Sequence, residues 1–298
     1  MTGEARAESA PAAAGTSLGA DAWKRLRRNR LAVAGVVTLA LTALLCTAGP
    51  ALLGLDFQTT DPAGRHEPPS WEHWFGTDSL GRDYAARVLV GGRTSLLVGF
   101  AATFAAVLVG VLYGAVAGYY GGKTDEIMMR FVDFLYGVPY MFLVILIMLM
   151  FSETARGQPL PVFLALGLVQ WLTMARIVRG QVLMLRDREF VLAARLLGAG
   201  DLRIIARHIL PNVVGVVAVY ATLTVPAVII LESFLSFLGL GVALSWGELV
   251  AEAVGVVNPI ESYWWLLVWP SVFLAATLFS LNFIGDGLRD ALDPKTRR

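Results

Sequence analysis

Two long stretches without a charged residue, residues 31–55 and 94–122, constrain the fold of this chain more than any other feature. A helix needs about 20 apolar residues to cross the hydrocarbon core of a bilayer, and both stretches exceed that length. The composition agrees, because 56% of the 298 residues are apolar and only 16% are charged, which is unusual for a water-soluble domain. The sequence therefore predicts an integral membrane protein.

Four further apolar runs complete the set of candidate spans. They cover residues 134–152, 157–175, 213–240 and 263–285, and only the third contains a charge, Glu232. Residues 153–156 link two of these runs and are long enough only for a tight hairpin. We expect an all-α integral membrane protein with six transmembrane helices.

The distribution of basic residues predicts the orientation of these helices. With the N-terminus inside the cell, 19 of the 24 Lys and Arg residues fall on the cytoplasmic side, as the positive-inside rule requires. Both termini are then cytoplasmic. We expect a disordered cytoplasmic tail at 1–22, the first transmembrane helix with the start of an outer loop at 23–71, and a core of five helices at 72–298 that carries a cytoplasmic loop at 186–211.

Two segments in the first half of the chain are predicted to have structural rather than ligand-binding roles. Residues 79–93 mix arginines and Asp83 with apolar residues, which favours a short interfacial helix leading into the second span. Within that span Gly110, Gly114 and Gly118 recur every four residues, so a neighbouring helix could approach the backbone closely.

The chain has few of the side-chain patterns that carry chemistry. Residues 118–124 resemble a phosphate loop, but Ala117 stands where that loop needs glycine, and a membrane helix rather than a strand precedes it. The three histidines are scattered and Cys46 is the single cysteine, so no metal or nucleophile set is evident. A net charge of +1 gives no footprint for nucleic acid. We expect no enzyme activity, metal or cofactor in this chain.

Glu232 is the one charge inside a candidate span. An ionised group there costs on the order of 3 kcal/mol or more unless it faces water or a partner. The carboxylate could line a translocation path with Ser233 and Ser236, bridge helices, or extend to the membrane surface.

Residues 189–211 form the polar island in the second half of the chain. The pattern predicts a helix over 189–197, a glycine break at 198–200, and a second helix that Asp201 caps and Pro211 ends. The apolar positions of the second helix are spaced for one face: Leu202, Ile205, Ala206 and Ile209. This segment is either a loop between two spans or a docking element for a soluble partner.

The spacing of this island resembles a known signature. Ala193-Ala194, three residues, Gly198, nine residues and a closing Ile-Leu-Pro resemble the cytoplasmic EAA loop of the permease subunits of binding-protein-dependent ABC importers, with Leu192 in place of the usual Glu. Other segments are similar to the dipeptide/oligopeptide/nickel group, and to its shorter subunit: residues 75–83, 92–99, 118–133, 207–212, 232–241 and 282–294. The resemblance runs from about residue 23 to 294.

This resemblance implies a type I ABC importer permease fold in a bacterial cytoplasmic membrane. It implies as partners a second homologous permease subunit, two ABC ATPase subunits that bind ATP-Mg, and an extracytoplasmic substrate-binding protein. The EAA loop would couple to the ATPases through Glu189, Leu192, Ala193, Ala194, Gly198, Asp201, Arg207, Leu210 and Pro211. The implied substrate is a dipeptide or oligopeptide, with nickel or a metal chelate as the alternative. An ATP-independent channel or secondary transporter, or a membrane-embedded enzyme, fits the residues less well.

Overall fold

The computed structural model describes residues 18–151, 159–256 and 261–292, and most of these residues are helical. In chain order the helices are α1 (Leu18–Arg28), α2 (Arg30–Leu52), α3 (Tyr84–Tyr120), α4 (Gly122–Gly137), α5 (Tyr140–Phe151), α6 (Pro159–Leu185), α7 (Glu189–Leu196), α8 (Asp201–Ile204), α9 (Leu210–Phe237), α10 (Trp246–Val256) and α11 (Trp264–Leu292). Within the described ranges, β pairing is limited to an isolated bridge between Thr77 and Asp83. The prediction of an all-α fold is confirmed.

Within the part of the chain that the structure describes, five helices are long and apolar enough to cross a membrane, namely α2, α3, α6, the continuous segment Asp201–Phe237, and α11. A sixth span is present if α4 and α5 are taken together, although the two are bent by 84°. The prediction of six spans holds in this form, but a straight third helix over 134–152 is wrong. The hairpin predicted at 153–156 lies outside the described residues, as do residues 1–17 of the predicted tail, and α1 begins inside that tail.

The break between α4 and α5 follows from Pro139. Proline has no N–H for the helical ladder, and the residue before it avoids the helical region; Val138 is accordingly extended, with φ −86° and ψ 127°. The charges of α4 hid this helix from a search for uncharged runs. One of them, Asp125, accepts two hydrogen bonds from Arg179 of α6, at 2.5 and 2.6 Å.

The interfacial helix predicted over residues 79–93 is not a separate element. Helix α3 runs unbroken from Tyr84 to Tyr120, and the side chain of Asp83 caps it by accepting a hydrogen bond from the Ala86 N–H at 2.9 Å. The charged turn and the apolar span are therefore one continuous helix. Arg87 faces inward in this helix, and its charge is compensated by ion pairs with Asp78 and Glu252.

The closest helix packing joins α3 to α6, and the glycine spacing predicted it correctly. A Cβ at Gly110 would lie 2.6 Å from the Cβ of Met174, and one at Gly118 would lie 2.8 Å from the carbonyl oxygen of Arg179. Real Cβ atoms do not approach that closely, so only glycine allows this separation. Close packing of small residues is a main source of helix association in lipid.

The outer end of the bundle is built around Trp246. Its side chain is fully buried, and the indole N–H donates to the carbonyl oxygen of Val88 in α3 at 3.0 Å. The Tyr84 hydroxyl similarly donates to the Leu266 carbonyl of α11 at 2.6 Å. These contacts hold α3, α10 and α11 together beneath the outer loop, while the α7–α8 segment lies at the other end of the bundle.

Candidate functional site

The segment from α7 to α8 has the helix, break and helix that the sequence predicted. Helix α7 ends in a glycine cap: the N–H of Gly198 donates to the Arg195 carbonyl, and the N–H of Ala199 donates to the Ala194 carbonyl at 3.1 Å. Gly198 adopts φ 81°, a conformation that side chains disfavour. The cap residue of α8 is Gly200, so the prediction that Asp201 caps this helix is wrong.

The carboxylate of Asp201 instead ties the segment to the end of α3. It accepts a hydrogen bond from the Tyr119 hydroxyl at 2.7 Å, and Arg195 donates to the same hydroxyl at 3.4 Å. Tyr119 lies next to the glycines that end α3, so these hydrogen bonds connect the segment to that end of α3. Tyr119 lies in the segment 118–133 that the sequence analysis singled out, but no role was predicted for its hydroxyl.

The inner face of the segment is packed against the bundle. Val191 and Ala194 of α7 are buried, as are Ile204, Ile205 and Ile209 after the break. These side chains pack in one cluster with residues of α3 and α6, including Tyr119, Val178 and Val182. The segment is therefore packed as a fixed part of the helical bundle.

The outer face of the segment is apolar and exposed. Leu196, Leu197 and Leu202 are 89%, 88% and 82% exposed. We refer to these three side chains as the leucine surface. Scattered apolar side chains are ordinary, but a cluster at the tip of a fixed segment is typical of an interaction site.

Only half of the predicted apolar face is buried. Ile205 and Ile209 are buried, whereas Leu202 and Ala206 are exposed. A π-helical turn covers Ile205–Ile209, where the Leu210 N–H bonds to the carbonyl of Ile205, five residues back, so the periodicity there departs from 3.6 residues per turn. Leu202 lies before this turn, in α8.

The π-helical turn lies directly before Pro211. Proline lacks the N–H for the ladder and its ring would crowd the carbonyl four residues back, which the wider turn relieves. The helix continues past Pro211 as one segment, Asp201–Phe237, so the prediction that Pro211 ends it is also wrong.

The residues predicted for coupling occupy two different environments. Most of them are on the surface of the chain: Glu189, Leu192, Ala193, Gly198, Asp201, Arg207 and Pro211. Leu210 is half-buried, and Ala194 is 7% exposed and faces the bundle. The small side chain of Ala194 therefore allows close packing inside this chain.

Glu232 lies in a buried network between helices. Its side chain is fully buried and accepts hydrogen bonds from the Ser236 hydroxyl at 2.7 Å and from Ser95 of α3 at 3.4 Å. Ser236 also contacts the Ser245 hydroxyl before α10 at 3.0 Å. The carboxylate is enclosed by the chain and does not reach its surface, and the geometry fits the helix-bridging alternative. Ser233 is half-buried beside this network, and a path-lining role for these residues stays a prediction.

We expect Glu232→Gln to leave thermal stability and substrate uptake close to native values, because the amide can still meet the serine hydroxyls. Glu232→Leu should lower the free energy of unfolding by about 1–3 kcal/mol, since it removes the carboxylate that accepts hydrogen bonds from the buried Ser236 and Ser95 hydroxyls. Thermal unfolding of the purified chain and uptake by reconstituted vesicles check both variants. Loss of uptake in Glu232→Gln at unchanged stability would contradict the bridging role and support the path.

The motif at residues 75–83 carries a network of hydrogen bonds and ion pairs centred on Asp78 in the outer loop. Asp78 accepts hydrogen bonds from the N–H groups of Leu80 and Arg82 and from the side chain of Arg82. It also binds Arg87 at 2.7 Å, and Arg87 holds Glu252 of α10 through two further bonds at 2.7 and 3.0 Å. The loop, α3 and α10 are thereby joined through one buried guanidinium.

Comparison with known proteins places these features in a family. Residues 106–298 match the model of the binding-protein-dependent transport system inner membrane component, and residues 17–69 match the N-terminal TM domain of oligopeptide transport permease C. The chain is similar to the oligopeptide transport system permease protein OppC of Escherichia coli (strain K12), with 50% identity over 95% of this chain and 93% of that protein. The corresponding protein of Haemophilus influenzae is 48% identical, over 95% and 90% of the two chains. The dipeptide transport system permease protein DppC of Bacillus subtilis is 46% identical, over 93% and 86%.

The fold also resembles a solved transporter. A chain of the MetNI methionine ABC transporter, in an inward facing conformation, superposes with a TM-score of 0.57 over 70% of this chain and 96% of that one, at 16% identity. This likeness confirms the type I importer permease fold. The two family models and the near full-length relatives show that the chain belongs to the binding-protein-dependent transport system inner membrane components, which are multi-pass permease subunits of ABC importers and are not enzymes.

Proposed function

We propose that this chain forms half of the translocation path of an ATP-driven importer of dipeptides or oligopeptides. The observation that carries the substrate class is the identity of 46–50% to oligopeptide and dipeptide permeases over nearly the whole chain. The chain acts with a second homologous permease subunit in a bacterial cytoplasmic membrane, both termini inside. An extracytoplasmic binding protein delivers the substrate. Uptake of a labelled tripeptide by vesicles that contain the assembled importer tests the substrate class, with a nickel chelate as competitor for the alternative.

We infer that the α7–α8 segment couples the permease to ATPase subunits that bind ATP-Mg. Three leucines exposed together at a fixed tip supply the apolar centre that protein interfaces require. Exposed Arg203 and Arg207 supply a polar rim. The hydrogen bond between the Tyr119 hydroxyl and Asp201 offers a direct mechanical connection from this surface to α3. Movement of the ATPases would then shift one discrete packing of the bundle to another.

Leu197→Asp should abolish most ATPase recruitment, because it places a charge in the centre of the leucine surface. Loss of a hot-spot residue at the centre of an interface costs about 2 kcal/mol or more, or roughly thirty-fold in affinity. Co-purification of the ATPase subunits and peptide-stimulated ATP hydrolysis measure the effect. Ala194→Arg would be less informative, because Ala194 is buried and the substitution would disturb the fold.

Leu80→Asp is the matched control, because Leu80 is an exposed leucine on the opposite side of the membrane. It should leave ATPase co-purification at the native level. Native co-purification and hydrolysis in both Leu197→Asp and Leu202→Asp would remove the coupling assignment and reopen the ATP-independent alternative.

A further inference from the structure

A cavity of about 520 Å³ opens beside the Val138–Pro139 break. Its walls come from the end of α4, the start of α5, the middle of α6 and the second half of α9. The volume falls within the range of about 300–1,000 Å³ that is typical of small-molecule sites. None of the residues predicted for coupling or for the translocation path lines it.

The cavity lies at membrane depth. Its α6 wall, Val169 to Thr173, is central in the span Leu160–Leu185, and its α9 wall is formed by Ala227, Ile230 and Leu231. Non-helical backbone is tolerated at such depth only where it is buried in protein or lines a water-filled cavity. In transporters, broken helices commonly form the substrate site for this reason. Here the break and the cavity coincide.

A few polar side chains lie among the apolar residues that line the cavity. The Tyr136 hydroxyl is hydrogen-bonded to the Thr173 hydroxyl at 2.6 Å, which spans α4 and α6. The amide of Gln170 has no hydrogen-bond partner within the described part of the chain, although it can donate and accept. An unpaired amide in an apolar span is costly unless water or a ligand meets it.

A pair of opposite charges lies at the edge of this cavity. Arg176, one turn along α6 from Thr173, stacks over the Tyr136 ring at 3.9 Å from the centroid. Its guanidinium binds Asp133 of α4 at 2.5 Å. The two side chains are 43% and 65% exposed, so each can exchange its partner for a charged group of a ligand.

We propose that this cavity is a peptide-binding subsite of the translocation path, an inference that rests on the proposed function. An extended peptide has a repeating N–H and C=O for Gln170 and the Tyr136–Thr173 hydroxyl pair. One charged end of the peptide can meet this pair, the terminal ammonium at Asp133 or the terminal carboxylate at Arg176. The apolar walls accept varied side chains without selecting among them, which suits a path whose substrates share only a backbone.

Substituted cysteines test whether the cavity is open to water and to peptide. The chain has one cysteine, Cys46, which is buried, so an introduced thiol can be followed alone. Gln170→Cys and Thr173→Cys place thiols in the cavity, and Leu41→Cys places one on the surface of α2, where the native side chain is 55% exposed. The assembled importer in vesicles is treated with a membrane-impermeant methanethiosulfonate during ATP hydrolysis, and modification of this chain is measured by mass spectrometry.

We expect the two cavity thiols to react several times faster than Leu41→Cys, and a tripeptide delivered by the binding protein to slow only the cavity reactions. If the cavity thiols react no faster than Leu41→Cys, lipid or the second permease subunit fills the cavity and the proposal is wrong. Fast reaction that peptide does not slow in either cavity variant also overturns it. Tripeptide uptake by the native assembly is measured alongside: its absence refutes the proposed function, whereas normal uptake without protection refutes the subsite alone.

Gln170→Leu provides a second, kinetic test. It keeps a side chain of similar size and removes the amide, so KM for tripeptide uptake should rise several-fold while the maximal rate and ATPase recruitment stay native. An unchanged KM in this variant would contradict peptide contact at Gln170.

Discussion

Replacing Gly114 with leucine should prevent the chain from forming a stable bundle. A Cβ at this position would overlap the carbonyl oxygen of Ala175 and lie 3.0 Å from the backbone nitrogen of Arg179. Backbone atoms cannot rotate away as a side chain can, so α3 and α6 would have to separate along their whole contact. Overpacking in a protein core costs about 1–3 kcal/mol and more where the backbone must move. Size-exclusion profiles and melting temperatures of the detergent-extracted chain measure the loss.

Gly180→Leu is the matched control for this substitution. Gly180 lies on α6 itself, and a Cβ there would meet nothing within 4 Å. Leucine also has a helix propensity that is better than that of glycine by up to about 1 kcal/mol. The control should therefore elute and melt like the native chain. A native profile for Gly114→Leu would show that α3 and α6 are not held at the separation described above.

The sequence predicted the elements that depend on local pattern. The uncharged runs 31–55 and 263–285 correspond to the helices Arg30–Leu52 and Trp264–Leu292. They could be predicted because a helix that crosses a bilayer needs about 20 consecutive apolar residues. The spacing of Gly110, Gly114 and Gly118 predicted the contact with α6 for the same kind of reason. Glycine destabilises a helix interior, so repeated glycines on one face of a helix indicate that another helix packs closely there.

The sequence predicted the second half of the third span, but it missed most of α4, because α4 is charged and a proline separates it from α5. Charges such as Asp125 and Arg130 made α4 look like a loop, although Asp125 is paired with Arg179 of the neighbouring helix. The break at Val138–Pro139 could have been predicted from proline alone. A hydropathy value counts each charged residue as polar, even where an ion pair with a neighbouring helix compensates its charge.

The helix, break and helix over residues 189–211 were predicted from the pattern, but the exposed side chains were not. Leu202 was predicted on the apolar face and is 82% exposed, and the π-helical turn that follows it was not predicted. Arg87 shows the same limit over a longer distance, because its partner Glu252 is 165 residues away and no local pattern joins them.

We expect Arg87→Met to destabilise the outer end of the protein severely. The side chains of Arg87 and Asp78 are 4% and 3% exposed, and the arginine also holds Glu252. Removing one partner of a buried ion pair costs about 3–5 kcal/mol, because the remaining charge is left uncompensated. The melting temperature should fall, and protease should cleave the outer loop, since loop, α3 and α10 lose their shared contact.

The pH dependence of this effect follows from Asp78. Burial alone would raise the pKa of this carboxyl, but hydrogen bonds from the Arg82 and Leu80 N–H groups and the charge of Arg87 more than offset it and lower the pKa. A lowered folded-state pKa contributes stability above the unfolded value, and this stability is lost as the pH falls through the folded value. The difference in melting temperature between native and Arg87→Met chains should therefore be largest near neutral pH and shrink in acid.

Arg130→Met is the control, since Arg130 pairs with Glu126 on the surface, where the two side chains are 79% and 67% exposed. Exposed pairs contribute about 0–1 kcal/mol, so this variant should melt like the native chain at every pH. Equal melting temperatures for Arg87→Met and Arg130→Met at neutral pH would show that the buried guanidinium does not hold the outer loop to α3 and α10. A gap between the two variants that narrows as Asp78 is protonated would instead assign the stabilisation to the ion pair, because packing of the arginine stem does not titrate.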